Sequence, residues 1–458
     1  MSTLRRREAC ALLGSLATAG CLGTGRSGPS GEVTVLWSDG APRADAVREA
    51  LSAAGLPAGV DVTVFGGGLV DTLGLFEETV EDGEQTPEIA VVGSNLRGEA
   101  LRLTAARHGF PDLRSVVDSD LGSKTFRMGR SAMRRDDALV GLPLFVVPTV
   151  VCYRRDWLAD AGVETGDWAT DPPTWNTFAS AIRSARDGRS VDGFLFETRS
   201  GNLPHGLFYD LLSAAGSAYF GDPSQYLFGP VGDRPVTTDE QSAIDAASIL
   251  ASFVSDGSEG VAGLGPSDTI ASETAFDRLV AGDAVASRIT AYRLGELDAE
   301  SRDQIGVMPA PVFEGVSGAY PWTGGPASTY YGQYAGLNPN VTGDRREAAA
   351  AVFRAMATDT FVERLYDTVA DEDGQRFWFP ARPSVYESST VTDAPLGDYA
   401  PAVRAAAECG LTQPVTDVWF DEYTVIDETL ETVLAGQTEP EPAMTELASR
   451  LRDLEGAR

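Results

Sequence analysis

The stretch from Gly141 to Ile182, GLPLFVVPTVVCYRRDWLADAGVETGDWATDPPTWNTFASAI, constrains the fold more than any other part of the chain. Its first part is almost wholly apolar. That predicts a Pro143-bearing buried strand followed by a second one, which ends at Tyr153-Arg154-Arg155-Asp156. A short helix stopping at Ala161-Gly162 comes next, and Pro173-Thr174-Trp175 opens another. Each cue is common in α/β proteins; their fixed order over one short segment is what narrows the fold.

The chain before this stretch alternates strand and helix three times. Val33–Trp37, Val60–Phe65 and Pro87–Val92 read as strands, with helices at about 43–54, 70–81 and 96–107. Such alternation argues for a mostly parallel sheet with helices on its faces, whose ligands sit at the carboxyl ends of the strands. Beyond it, Phe194–Glu197 reads as a strand, and 207–215, 240–255 and 272–281 show helical spacing. Helices follow at 345–358 and 361–369, with a closing pair around Ala435-Gly436-Gln437. A chain of 458 residues is long for one core and suits two lobes.

The N-terminus has the layout of a secretory signal: Arg5-Arg6-Arg7, an apolar stretch from Ala9 to Ala19, then Gly20-Cys21. It resembles a lipoprotein signal cleaved before Cys21, with paired arginines like those of twin-arginine export. Residues 1–20 would then be removed, Cys21 would carry lipid, and 21–31 would be a flexible tether. Only Cys152 and Cys409 remain, too few for a disulfide scaffold, and they read as small buried hydrophobes. The net charge of −31 makes nucleic acid and anionic lipid poor partners. Lys124 is the sole lysine, and this acidic, lysine-poor composition resembles proteins adapted to very high salt.

In the order of its elements the chain is similar to extracellular solute-binding proteins of the maltose-binding type, the receptors of ABC sugar importers. The Gly141–Ile182 stretch is similar to the segment by which that family crosses between lobes. Ala275 to Ala286 (AFDRLVAGDAVA), Ile305-Gly306-Val307-Met308-Pro309, Trp322-Thr323-Gly324-Gly325 and Phe379-Pro380-Ala381-Arg382 continue the likeness over nearly the whole exported chain. The resemblance implies an α/β, two-lobed periplasmic-binding-protein-like fold (type II), with mixed, mostly parallel sheets and a ligand cleft between the lobes. Lobe one would be 32–145 plus about 320–375, and lobe two 146–319 plus about 376–458. It further implies a monomer on the extracellular face of the cell membrane, held by its lipid and serving separate permease and ATPase subunits.

A sugar cleft needs flat aromatic platforms and hydrogen-bonding edges. The resemblance places Trp37, Asp39, Ser94 and Asn95 at the cleft from lobe one, and His205, Phe208, Tyr292 and Tyr423 from lobe two. Trp322, Gly324 and Gly325 fall at the return strand. Trp37 and Tyr423 read equally well as core, and Asp39, Ser94 and Asn95 as helix caps. Trp378 and Trp419 are weaker platform candidates, and Arg382 suits a carboxylate of its own protein as well as a ligand. Some maltose binders carry an acidic residue where this chain has Val147, followed by Pro148.

The expectation is therefore binding without catalysis, with no cofactor and no metal. His108 and His205 are the only histidines and lie far apart, no G-x-S-x-G elbow is present, and the phosphate-loop motif is absent. Ferric iron at Tyr330-Tyr331, glycerol phosphate, polyamines and a secreted glycoside hydrolase stand as alternatives. Strand alternation would turn the two tyrosines to opposite faces.

Overall fold

A computed structural model describes residues 29–38, 42–93, 101–117, 124–198, 204–254, 261, 270–370 and 378–457. The expected signal, Cys21 and most of the expected tether lie outside the described residues. So do Asp39, Ser94 and Asn95. No helix among the described residues is long and apolar enough to cross a membrane.

The first lobe is built on β1 (Gly31–Ser38), which lies between two parallel neighbours, β2 (Val60–Gly67) and β3 (Ile89–Gly93). The last six residues of β1 are buried, as a strand covered on both faces requires. Helices Ala44–Ala53, Leu69–Glu81 and Leu101–His108 return the chain between and after these strands. The first buries Ala46, Val47, Ala50 and Leu51, the i, i+1, i+4 spacing of an amphipathic face. A helix at Arg127–Ala132 and a two-residue hairpin, β4 (Arg134–Arg135) with β5 (Ala138–Leu139), lead into the crossing segment.

That segment is one continuous strand, β6 (Leu142–Arg154), where the sequence suggested two. The reason lies at Pro148, the residue on which two ladders meet. The lobe-one ladder to β10 (Ser328–Leu337) ends at the pair Tyr330–Pro148, and the lobe-two ladder to β8 (Ala284–Thr290) begins at Thr149–Thr290. A residue without an N–H is tolerated where ladders change over. The second lobe adds β7 (Asp192–Leu195), parallel to β8, and β9 (Ile305–Met308), antiparallel to β6. The short strands β11 (Phe379–Pro380) and β12 (Gly410–Leu411) pair with β6 and β10. One hydrogen-bonded sheet thus runs β2-β1-β3-β10-β6-β8-β7, parallel in its outer parts and antiparallel where β6 and β10 cross.

Two hydrophobic cores follow from this arrangement, and they divide along the crossing strands. Phe145 belongs to the first and Val146 to the second; on β10, Tyr334 belongs to the first and Tyr330 to the second. The second core is centred on aromatic packing around Phe194, whose ring lies 5.2 Å from Phe178, 5.7 Å from Phe196 and 5.8 Å from Phe253. Cys152 is buried there as a free thiol, and Cys409 is free and half-buried. Truncating so enclosed a ring leaves a cavity, so Phe194→Ala should lower stability by about 3–5 kcal/mol in denaturant unfolding. An unchanged midpoint would show that this cluster does not hold the second lobe.

Candidate functional site

The crossing strands carry a buried polar network on one of their faces. Arg288 of β8 donates from Nε to Asp210 (2.7 Å), from Nη1 to Glu197 (3.2 Å) and from Nη2 to the Thr329 hydroxyl (3.2 Å). Thr329 of β10 passes its own proton to the other Asp210 oxygen at 2.9 Å, and its N–H donates to the Thr149 hydroxyl of β6 at 2.9 Å. Burial alone would lower the Arg288 guanidinium, but the Asp210 and Glu197 carboxylates outweigh it and hold it above its ordinary value. Glu197 follows β7, and Asp210 lies on helix Pro204–Ala214, so this network fastens lobe two to both crossing strands.

Tyr331 stands beside this network, and its neighbour does not. Tyr330 is fully buried and presses against Gly129 and Gly410, where a Cβ atom would collide with its ring or hydroxyl. Tyr331 is half-buried on the opposite face, and its phenol feels Arg288, Glu197, Asp210 and Tyr292. Burial pushes both phenols above their usual range. Rings on opposite faces of one strand cannot converge on one ferric ion, so the adjacent-tyrosine iron site is not formed. Tyr292, half-buried in the turn Ala291–Glu296 after β8, therefore stands with Tyr331.

A second aromatic group opens helix Trp419–Leu434. Phe420 is exposed and meets half-buried Tyr423 edge to face at 5.2 Å. Trp419 is not a platform: it is fully buried and donates from Nε1 to Gln413 at 3.3 Å. The helix is fixed from behind by Glu422, which with Glu455 grips the buried Arg234, itself 3.9 Å over the Phe220 ring. Two carboxylates on one guanidinium leave one negative charge unmatched. Burial pushes Glu422 up to about 8 against the pull of Arg234, while Glu455, with Arg234 and the Gly232 N–H as partners, is held low although burial opposes it.

Two platform expectations, Trp37 and Phe208, are corrected. Trp37 is fully buried, donating to Gln333 at 3.2 Å inside the first core, because β1 is covered on both faces. Phe208 is also fully buried, packed 6.0 Å from Tyr219 on the inner side of its helix. Neither can be a ligand platform. Arg382 is buried and pairs with Asp359 at 2.7 Å, a carboxylate of its own protein. His205 lies in helix Pro204–Ala214, with its side chain outside the described residues. Glu77, Glu81 and His108 come together on the outside of lobe one, and Arg107 pairs with Glu77.

Trp322, Gly324 and Gly325 line a cleft of about 430 Å³ together with Arg127, Thr170, Thr323, Glu408 and Cys409. Arg127 and Cys409 are chain neighbours of Gly129 and Gly410, the two glycines on which Tyr330 packs, so this part of the cleft lining adjoins Tyr330. The lobes also touch directly: the Arg102 guanidinium lies 4.2 Å over the ring of Phe228, which packs on both cores. Burial lowers Arg102 to about 10. Sequence reasoning missed Arg288, Glu197 and Asp210, since isolated charged residues carry no spacing that marks them as buried.

No protein-family model and no curated protein matches this sequence. Solved structures do. The chain is similar over 94% of its length, and over all of the other chain, to a cyclic alpha-maltosyl-1,6-maltose binding protein from Arthrobacter globiformis (TM-score 0.72, 16% identity). Maltose-bound MalE3 of T. maritima matches with a TM-score of 0.65 at 18% identity, covering 92% of this chain and 99% of that one. An ABC transporter solute binding protein from Thermotoga lettingae TMO, bound with alpha-D-tagatose, matches with a TM-score of 0.64 at 14% identity, covering 93% and 100%. The chain therefore has the two-lobed α/β periplasmic-binding-protein-like fold.

The Glu422 environment gives a measurable sign. A carboxyl whose folded value is raised from 4.5 to about 8 binds more protons folded than unfolded, so its contribution falls as pH rises through that window. Glu422→Gln should flatten the loss of melting temperature between about pH 6 and pH 9, a range above that in which Glu455 titrates. A variant whose melting curve keeps the parent's slope would mean that Glu422 is ionised throughout.

Proposed function

We propose that this chain is the extracellular solute-binding subunit of an ABC importer and that its ligand is a sugar or oligosaccharide. The observation that carries the reading is the Tyr292–Tyr331 pair: two half-buried rings beside a charged, hydrogen-bonding seam, in a fold shared with sugar-binding proteins. Rings supply apolar platforms for pyranose faces, and their phenol hydroxyls supply hydrogen-bonding edges. Tyr423, with Phe420 edge to face against it, is a further aromatic platform assigned to lobe two in this reading. Asp39, Ser94 and Asn95 follow β1 and β3 in the sequence, and ligands of such sheets bind at the carboxyl ends of the strands.

In this reading lobe one comprises 32–145 plus about 320–375, and lobe two 146–319 plus about 376–458. Ligand bridges the two and shifts the population toward the closed form, which the permease recognises. Arg5-Arg6-Arg7 direct export, and Cys21 takes the lipid. The acidic surface suits a salt-loving archaeal source. The chain binds and releases its ligand unchanged.

Intrinsic tryptophan fluorescence and melting temperature in molar KCl, titrated with mono- and oligosaccharides, test this. One sugar should give a saturable shift and be recovered whole. Tyr292→Ala and Tyr423→Ala should each weaken that binding by about 1–3 kcal/mol without loss of fold. Sugar consumed during titration would make the chain an enzyme; unchanged affinity in both variants would remove these rings from the site.

A further inference from the structure

Among the described residues, the cleft behind the crossing strands holds a charge that its surroundings do not match. Arg127 is half-buried, and its Nε is enclosed without a hydrogen-bond acceptor. Burial, with Arg130 nearby, pulls the guanidinium below its ordinary value, and no carboxylate among the described residues offsets them. This occurs in a chain with 67 acidic residues. Glu408 lines the same cleft but is engaged by Arg404 at 2.9 Å. What Arg127 has instead is the face of Trp322, 5.0 Å from its central carbon.

Trp322 is itself held in an unusual state. Its φ of 76° lies in the left-handed region that side chains avoid. Gly324, at φ 82°, lets the loop fold back on itself, since a Cβ there would strike Gly318. The loop is tied to helix Pro204–Ala214 by the Gly324 N–H on the Ser213 carbonyl at 2.8 Å. An adverse backbone conformation is thus maintained at the residue whose indole lines the cleft, a pattern typical of functional sites.

We infer that the Arg127–Trp322 cleft is a second binding site, for a small ring-bearing carboxylate. A guanidinium offers a planar fork that matches a carboxylate with two parallel hydrogen bonds, and the ligand would supply the acceptors that Arg127 lacks. Trp322 provides a flat apolar wall for the ring, and the Thr170 and Thr323 side chains lie within the same lining. The volume, about 430 Å³, suits a molecule of one ring. Because neither Tyr331 nor Tyr292 lines this cleft, its occupancy does not rest on the sugar reading.

Calorimetric titration of the full chain with glucuronate, benzoate, glucose and sodium sulfate tests the inference, the two acids separating a sugar acid from an aromatic one. At least one acid should bind once per chain, glucose and sulfate should not compete with it, and Arg127→Met should weaken it by about tenfold or more. Removing an enclosed unpaired charge should leave the ligand-free melting temperature of Arg127→Met unchanged or higher. Arg127→Lys, which keeps the charge but loses the fork, should bind at intermediate strength. Trp322→Gly, which relieves the backbone and removes the wall, should also weaken binding. Should Arg127→Met not fold, the Lys and Gly variants carry the comparison. No binding of either acid, equal affinity in the variants, or equal competition by sulfate would overturn the site. Loss of neutral-sugar binding on the Tyr331 face would bear on the receptor reading alone.

Discussion

The Arg288 network is the constraint on which the rest of the molecule depends. An isolated guanidinium taken out of water would cost far more than any surface ion pair returns. Here three donors of Arg288 are used, and Asp210 accepts on both of its oxygens. The arrangement is satisfied only when β6, β8, β10, the segment after β7 and helix Pro204–Ala214 are all in register. A shift of β10 by one residue would turn Thr329 to the other face and leave Arg288 and Asp210 without that hydroxyl. Breaking such a buried pair from one side typically costs about 3–5 kcal/mol, so the network selects one alignment of the two lobes' strands.

That alignment decides where the molecule can bend. The network ties the crossing strands to lobe two at Thr149, Ser328 and Thr329, the end where β6 leaves its lobe-one ladder. On the lobe-one side, β10 has a register irregularity between Gln333 and Tyr334, and Gly332 precedes it. One side of the crossing is therefore cross-linked by charged hydrogen bonds, and the other by backbone ladders and the neutral Gln333 side chain, which accepts from Trp37 and donates to the Ser38 carbonyl. Hinge motion in two-lobed proteins is absorbed by a few residues at the ends of elements, and the irregular stretch of β10 is such a place.

Much of this fold was legible in the sequence because it rests on local patterns. The strands at 33–37 and 60–65 and the helices at 43–54 and 345–358 come from periodicity and appear within a few residues of where it put them. The break expected within Leu142–Arg154 was misread because proline normally ends a strand, whereas Pro148 sits where two ladders exchange partners. The site was less legible. Trp37 and Phe208 sit beside the cleft in chain order, but whether a ring at a strand end or helix start turns outward is settled by what covers it. For Trp37 that cover includes Gln333, nearly three hundred residues away. Glu197, Asp210 and Arg288 come from three separate elements, and nothing in their local sequence announces that they meet.

The Tyr330-Tyr331 pair shows how one strand serves two surfaces. Period-two alternation sends Tyr330 into the packing between Gly129 and Gly410, chain neighbours of the cleft residues Arg127 and Cys409. It sends Tyr331 to the charged seam beside Tyr292. The same alternation places Thr329 with Tyr331, so the polar network and the exposed ring share a face. Because both faces are anchored to the same few residues of β10, a movement of that strand that opens one surface must alter the other. The contact between Arg102 and Phe228 adds a third link between the lobes, away from both. A guanidinium over a ring is worth only about 0.5–2 kcal/mol, enough to bias a closed form and too little to lock it.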